Sequence, residues 1–214
     1  MKIETEMKVM WDLCSGLGGA SEAFVRDAGW KVIRIENNPM LSGVEDTLCL
    51  DIDDDWSQWV DELIIEHGVP ELIWASPPCR EFSDGYSAPI PTAKRNGEEF
   101  EPCMDLIFTI QDIIDRVRPR YFIVENVRGA IPYFDDVFGP YSQRVESFYL
   151  WGRFPAFRVI VDNRTGKSFK HSKYTNDTWS DDPLRANKRA YVPIDISRAV
   201  LRAVNTQTSL MEWI

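Results

Sequence analysis

Lys8-Val-Met-Trp-Asp-Leu-Cys-Ser-Gly-Leu-Gly-Gly19 is the stretch that decides the fold. Lys8 to Leu13 is a short apolar run that reads as a strand. Gly16, Gly18 and Gly19 follow as a turn, and a helix is predicted from about Ala20 to Ala28. A strand that passes through a glycine turn into a helix is the opening half of a βαβ unit. The pattern then repeats. Lys31 to Ile35 reads as a second strand, Thr47 to Ile52 as a short third, and Trp56 to Glu66 as a helix. Glu71 to Ala75 is a buried strand bounded by Pro70 and Pro77. Cys103, Leu106, Ile107, Ile110, Ile113, Ile114 and Val117 recur at helical spacing, and Tyr121 to Val124 is the next buried strand. Strands alternating with helices predict an α/β chain with a mostly parallel central sheet flanked by helices.

Two segments break the alternation. Residues 82–102 are rich in Gly, Pro, Ser and charge, too long for an ordinary connection, and read as a mobile functional loop. Residues 163–187 are polar and turn-rich, and Pro193 to Val204 again suits a packed helix. With 214 residues, 44% of them hydrophobic and 27% charged, the chain can bury one compact core. No apolar run approaches the roughly 20 residues that cross a bilayer, and no secretory signal is evident, so a cytoplasmic location is expected. The four cysteines lack C-x-x-C spacing and lie far in sequence from His67 and His171, which argues against a metal site. The net charge of −10 does not by itself suggest a polyanion partner. The charge is uneven, however. Residues 36–71 are acidic, whereas Arg144, Arg153, Arg158, Lys170, Lys173 and Lys188 are among the cations of the C-terminal half.

The turn at Asp12 to Gly19 sits where doubly wound sheets bind ligands, at the carboxyl ends of the strands. Glu36 ends the second strand about 20 residues on, placed to hold ribose hydroxyls. Asp51 can face an adenine amino group from the third. No Gly-Lys-Ser/Thr follows the glycines, which favours an adenosine cofactor without a triphosphate. The alternative is a glycine turn that only packs a helix against a strand.

Further along, Ser76-Pro77-Pro78-Cys79-Arg80-Glu81-Phe82-Ser83 leaves the strand ending at Ala75. Two prolines stiffen the exit and deliver Cys79 to the same sheet edge, where a thiolate can act as a nucleophile. A buried, inert cysteine is the plainer alternative. Glu125 and Asn126 end the next strand, and a carboxylate with an amide at a sheet edge suits an acid acting beside that nucleophile.

DLCSGLGG, SPPCREFS and ENV, in that order, resemble three diagnostic motifs of the cytosine-C5 DNA methyltransferase family. Glu36 with Asn37, and Asp51 with Ile52, are similar to its second and third cofactor motifs. FYLWGRFP (148–155) resembles its eighth, and Arg189 to Val204 its C-terminal segment. The resemblance implies a Rossmann-like S-adenosylmethionine-dependent methyltransferase fold and methylation of C5 of cytosine in DNA. Cys79, Pro78, Glu125 and Asn126 would be the catalytic group. Asp12, Leu13, Cys14, Gly16, Gly18, Gly19, Glu36, Asn37, Asp51, Ile52, Pro77 and Ser197 would form the cofactor site. Arg80, Ser83, Arg144 and Arg153 would meet the substrate. Cytosine methylation of RNA or single-stranded DNA, and a non-catalytic relative that binds cofactor or DNA, are the alternatives.

This chain departs from the family pattern in three places. Arg80 stands where the family has Gln. Glu146, Ser147 and Phe148 stand where it has an Arg-x-Arg pair, leaving Arg144 or Arg153 as substitutes. Residues 159–188 replace a full target-recognition domain. Residues 1–158 and 189–214 are therefore expected to form the catalytic domain, with 159–188 as a minimal recognition element or loop. Tyr174, Trp179, Lys170, Lys173 and His171 are its candidate DNA contacts. A monomer is expected, with DNA as partner and recognition that is short or supplied by a second protein.

Overall fold

The computed structural model describes residues 7–52, 55–159 and 181–207. Seven strands form one sheet: β1 (Val9–Leu13), β2 (Lys31–Ile35), β3 (Thr47–Leu48), β4 (Leu72–Ala75), β5 (Tyr121–Asn126), β6 (Gln143–Val145) and β7 (Phe148–Arg153), in the order β3-β2-β1-β4-β5-β7-β6. The first five run parallel. β7 lies antiparallel between β5 and β6. Every residue of β1 and β4 is buried, as expected of strands covered on both faces.

Side chains alternate across this sheet. Trp11, Leu13, Ile33, Ile35, Ile73 and Val124 face α2 (Trp56–His67), α4 (Asp105–Val117) and α5 (Ile131–Phe138). Met10, Val32, Leu72, Trp74 and Ile123 face α1 (Glu22–Ala28) and α7 (Ile194–Thr206). The predicted periodicity of α4 is what this packing uses: Ile107, Ile110, Ile113, Ile114 and Val117 are all buried. Each contributes about 1.5–3 kcal/mol of apolar burial, so Ile110→Asp would break the helix from the sheet. The helix stops where Arg118 turns left-handed (φ 53°) ahead of Pro119, which cannot continue it.

Three differences from the expected elements bear on the site. Residues 82–102 are not a loop throughout, because Pro89–Asn96 form a helix, α3, that opens on a proline and ends on Gly97 at φ 73°. β5 runs to Asn126, two residues past the Tyr121–Val124 run, and Glu125 and Asn126 end it within the sheet, as their place at a sheet edge predicts. β3 is two residues long, not the six of 47–52, and Asp51 lies beyond it. α6 (Arg185–Ala190) precedes α7. Tyr174, Trp179, Lys170, Lys173 and His171 lie outside the described residues. Among the described residues no helix is long and apolar enough to cross a membrane.

Candidate active site

The direction of crossover reverses between β1 and β4: β2 and β3 extend one way, β5 and β7 the other. A crevice opens at such a switch point beyond the carboxyl ends of the strands. The ladders run on past the strands there. Ser15 N–H donates to the Ile35 carbonyl (3.1 Å), and Ser76 N–H donates to the Leu13 carbonyl (3.0 Å). The glycine turn and the Ser76–Cys79 turn thus leave the sheet side by side.

On the β1–β2 side the backbone is wound tightly. Cys14, Gly16 and Gly18 all take positive φ (55°, 54° and 74°), which only glycine adopts freely. Glu36 is nearly buried and holds two backbone amides, Gly16 N–H at 2.8 Å and Asn38 N–H at 3.0 Å. Asp51 is exposed and accepts from Ile52 N–H (3.0 Å) and Asn37 Nδ2 (3.3 Å). The Cys14 thiol is pushed well up by burial and by the carboxylates of Glu36, Asp12 and Asp51 around it. It is therefore a neutral wall of the pocket. The same negative field suits a cationic ligand. A buried hydroxyl, Ser15 Oγ, has no partner among the described groups.

On the β4–β5 side the groups are chemical. Glu125, opposite the end of β4 and almost fully buried, has its pKa pushed up to about 7 by burial, opposed in part by a hydrogen bond with Ser76. Ser76 Oγ in turn accepts from Trp74 Nε1 at 2.9 Å. Asn126 bridges the two strands: its Nδ2 donates to the Pro77 carbonyl (3.1 Å), and its Oδ1 accepts Val127 N–H (2.9 Å). The residue just before Pro78-Cys79 is thereby tied to the strand that carries Glu125. Cys79 is half-buried and Pro78 exposed. Beyond Cys79, Phe82 is buried with its ring against Phe134 (5.1 Å) and Tyr133 (5.6 Å). Glu81 accepts Cys103 N–H at 2.8 Å, closing the base of the 82–102 segment. The Cys79 turn is anchored on both sides.

The remaining predicted residues fall less uniformly. Leu13 faces the core, offering only backbone, and Asp12 points beneath the turn, fully buried. Ser197 is not at the crevice. It is fully buried, donating to the Ala20 carbonyl (2.6 Å) and accepting Ala23 N–H (3.1 Å), so it clamps α7 to the start of α1. Arg153 is a second correction. Because β7 runs antiparallel, Arg153 pairs with Phe122 at the amino end of β5 and donates to the Pro119 (2.7 Å) and Arg120 (3.2 Å) carbonyls, on the edge opposite Cys79. Arg144 does lie at the carboxyl edge, beside Tyr149, but its Nε is taken by the Glu146 carbonyl at 2.7 Å. Arg80 is exposed, and the Ser83 hydroxyl accepts Gly85 N–H (3.1 Å) within its own turn. Ser76 is the site residue that sequence reasoning missed, although it opens the quoted motif.

The sequence profile of the family described as C-5 cytosine-specific DNA methylase matches residues 8–133, more than half of the chain. The chain belongs to that family. Two solved structures are similar to the chain at a low level. One is a prophage-encoded protein from E. coli, described as a DNA modification methyltransferase: TM-score 0.42 and 21% identity over 60% of this chain and 34% of that one. The other is a SAM-dependent methyltransferase from Agrobacterium tumefaciens: TM-score 0.42 and 14% identity over 69% and 56% respectively. The chain thus spans about a third and about half of their lengths. No curated protein matches it.

Proposed function

We propose that this protein methylates C5 of cytosine in DNA, with Cys79 as covalent nucleophile and S-adenosylmethionine as methyl donor. The observation that carries the reading is the tie from Asn126 to Pro77, which couples the cysteine turn to the strand end bearing a carboxyl group with a pKa near neutrality. Glu36, Asp51, Asn37, Ile52 and the backbone of 14–19 would hold the cofactor. Acceptor carboxylates match ribose hydroxyls and an exocyclic amine, and their negative field matches a sulfonium. When bound, the cofactor supplies an electrophilic methyl group.

The protein's own part is to make C5 of cytosine nucleophilic. Cys79 thiolate adds to C6 while Glu125, in its protonated form, gives a proton to N3, and C5 becomes the electron-rich carbon of an enamine. Ser76 holds Glu125 in place for that transfer. Once C5 carries the methyl group, loss of its proton to a base, expulsion of the Cys79 thiolate and return of the N3 proton to Glu125 restore the neutral aromatic ring. In a duplex the base must first leave the stack, at a cost of a few kcal/mol recovered from binding. The 82–102 segment, hinged on Glu81–Cys103 with α3 at its tip, would close over it.

Residues 159–188 would serve as a short recognition element, or leave recognition to a second protein, around a monomeric catalytic domain made by the rest. A cytoplasmic setting goes with a DNA substrate. Transfer of labelled methyl from S-adenosylmethionine to duplex DNA, with single strands and RNA alongside, tests the reading. Label in DNA cytosine is the expected result. Label only in RNA or single strands would change the substrate, and cofactor binding without transfer to any of the three would overturn the activity.

A further inference from the structure

Arg34 has no place in the chemistry above, yet it is 3% exposed and lies directly beneath the glycine turn. On β2 it pairs in register with Asp12 of β1, and both side chains point to the face covered by α1 and α7. Its Nε donates to Ser21 Oγ at 2.9 Å, and the Ser21 hydroxyl donates to Asp12 Oδ2 at 2.6 Å. Its Nη1 reaches the Glu45 carbonyl in the link between β2 and β3. The guanidinium end of the side chain fills the room that Gly18 leaves, since a Cβ there would lie 2.5 Å from Arg34 Nε. The other Asp12 oxygen, Oδ1, is buried without a partner. One guanidinium therefore joins β1, the turn, the start of α1 and the β2–β3 link.

Stability alone is a poor reason for such a network. Desolvating a guanidinium and a carboxylate costs several kcal/mol, and apolar residues of the same volume often do as well or better. What a buried, directional network does supply is one backbone geometry. Here it fixes the segment from Gly18 to Ser21, next to the amide of Gly16 that Glu36 holds from the other side. A ligand that meets an already ordered turn loses less freedom on both sides, which appears as affinity.

We propose that Arg34, acting through Ser21, is a positioning residue for the cofactor turn, setting affinity for an adenosine-containing cofactor without taking part in methyl transfer. This rests on the function proposed above. The test is calorimetric binding of S-adenosylhomocysteine to wild type, Arg34→Met, Arg34→Lys and Ser21→Ala, beside steady-state kinetics. Because Arg34→Met leaves Asp12 without its cation, Arg34→Met/Asp12→Asn is measured as well, with circular dichroism to show that it folds.

The expected result is a Kd raised about tenfold in Arg34→Met and Ser21→Ala, the scale of one lost hydrogen bond to a charged group. Their kcat at saturating cofactor should stay within about twofold of wild type, a split that general loss of structure would not give. Arg34→Lys keeps the charge but not the fork, and recovers part of the affinity. A folded Ser21→Ala or Arg34→Met/Asp12→Asn that binds with the wild-type Kd would overturn the inference. If wild type itself does not bind S-adenosylhomocysteine, the proposed function fails and the inference with it.

Discussion

On the β1–β2 side of the crevice, a ligand would meet backbone that is braced from beneath. Glu36 holds two amides, Ser197 clamps the first helix, and Arg34, Ser21 and Asp12 support the turn without reaching solvent. On the β4–β5 side it would meet side chains, presented by two prolines and one strand end and braced by Asn126 on Pro77, Ser76 on Glu125 and Phe82 against Phe134 and Tyr133. The first side is built to bind one shape. Under the proposed function, the second lets a half-buried cysteine and a carboxyl of shifted pKa act on a base brought to them. Substitutions on the two sides should therefore separate, affinity on one and turnover on the other.

Glu125→Gln should show the largest loss, on the order of 10²- to 10⁴-fold in kcat, with cofactor Kd unchanged. Its pH profile sharpens the point. Glu125 acts protonated with a pKa of about 7, so the wild-type rate should fall as pH rises through that value, and this limb should vanish in Glu125→Gln. A variant that kept the limb would assign it to another group. Glu36→Gln, across the crevice, should raise cofactor Kd roughly tenfold and leave kcat at saturation nearly intact. If kcat fell instead, the two sides would not be separable.

Stability carries a smaller signature from both sides. Asp12 and Glu125 each have folded-state pKa values near 7, raised mainly by burial above unfolded values of about 4. A raised pKa favours folding below the unfolded value, and that advantage is lost as pH rises through the folded one. Thermal denaturation should show Tm falling between about pH 4 and pH 7, with a shallower fall in Asp12→Asn and in Glu125→Gln. Arg153→Ala should change neither Kd nor kcat, because that arginine sits at the opposite edge of the sheet.

The same contrast governs what could be read from the sequence. DLCSGLGG, Glu36, SPPC and Glu125-Asn126 were legible because each is a local pattern at the end of an apolar run, and a parallel sheet lines up all such ends on one edge. Arg153 was misplaced because nothing local to FYLWGR says that this strand runs against the others. Ser197 was misplaced because its helical phase turns it inward, towards Ala20 and Ala23. In sequence Arg34 is one cation in an apolar strand. Its meaning depends on register with Asp12 and on the space left by Gly18, both properties of the assembled sheet. Helix α3 was hidden by composition, since Pro89 and Pro91 read as loop although a proline at the first helical position favours a helix start.

The central claim is that Cys79 forms a covalent bond to the base. Duplex DNA carrying 5-fluorocytosine, incubated with the protein and S-adenosylmethionine and resolved on a denaturing gel, tests it most directly, because fluorine at C5 cannot leave as a proton would and the adduct persists. Wild type should give a stable protein–DNA band and Cys79→Ala none. A band that survives in Cys79→Ala, or methylation of ordinary DNA by wild type with no trapped band, would contradict the account.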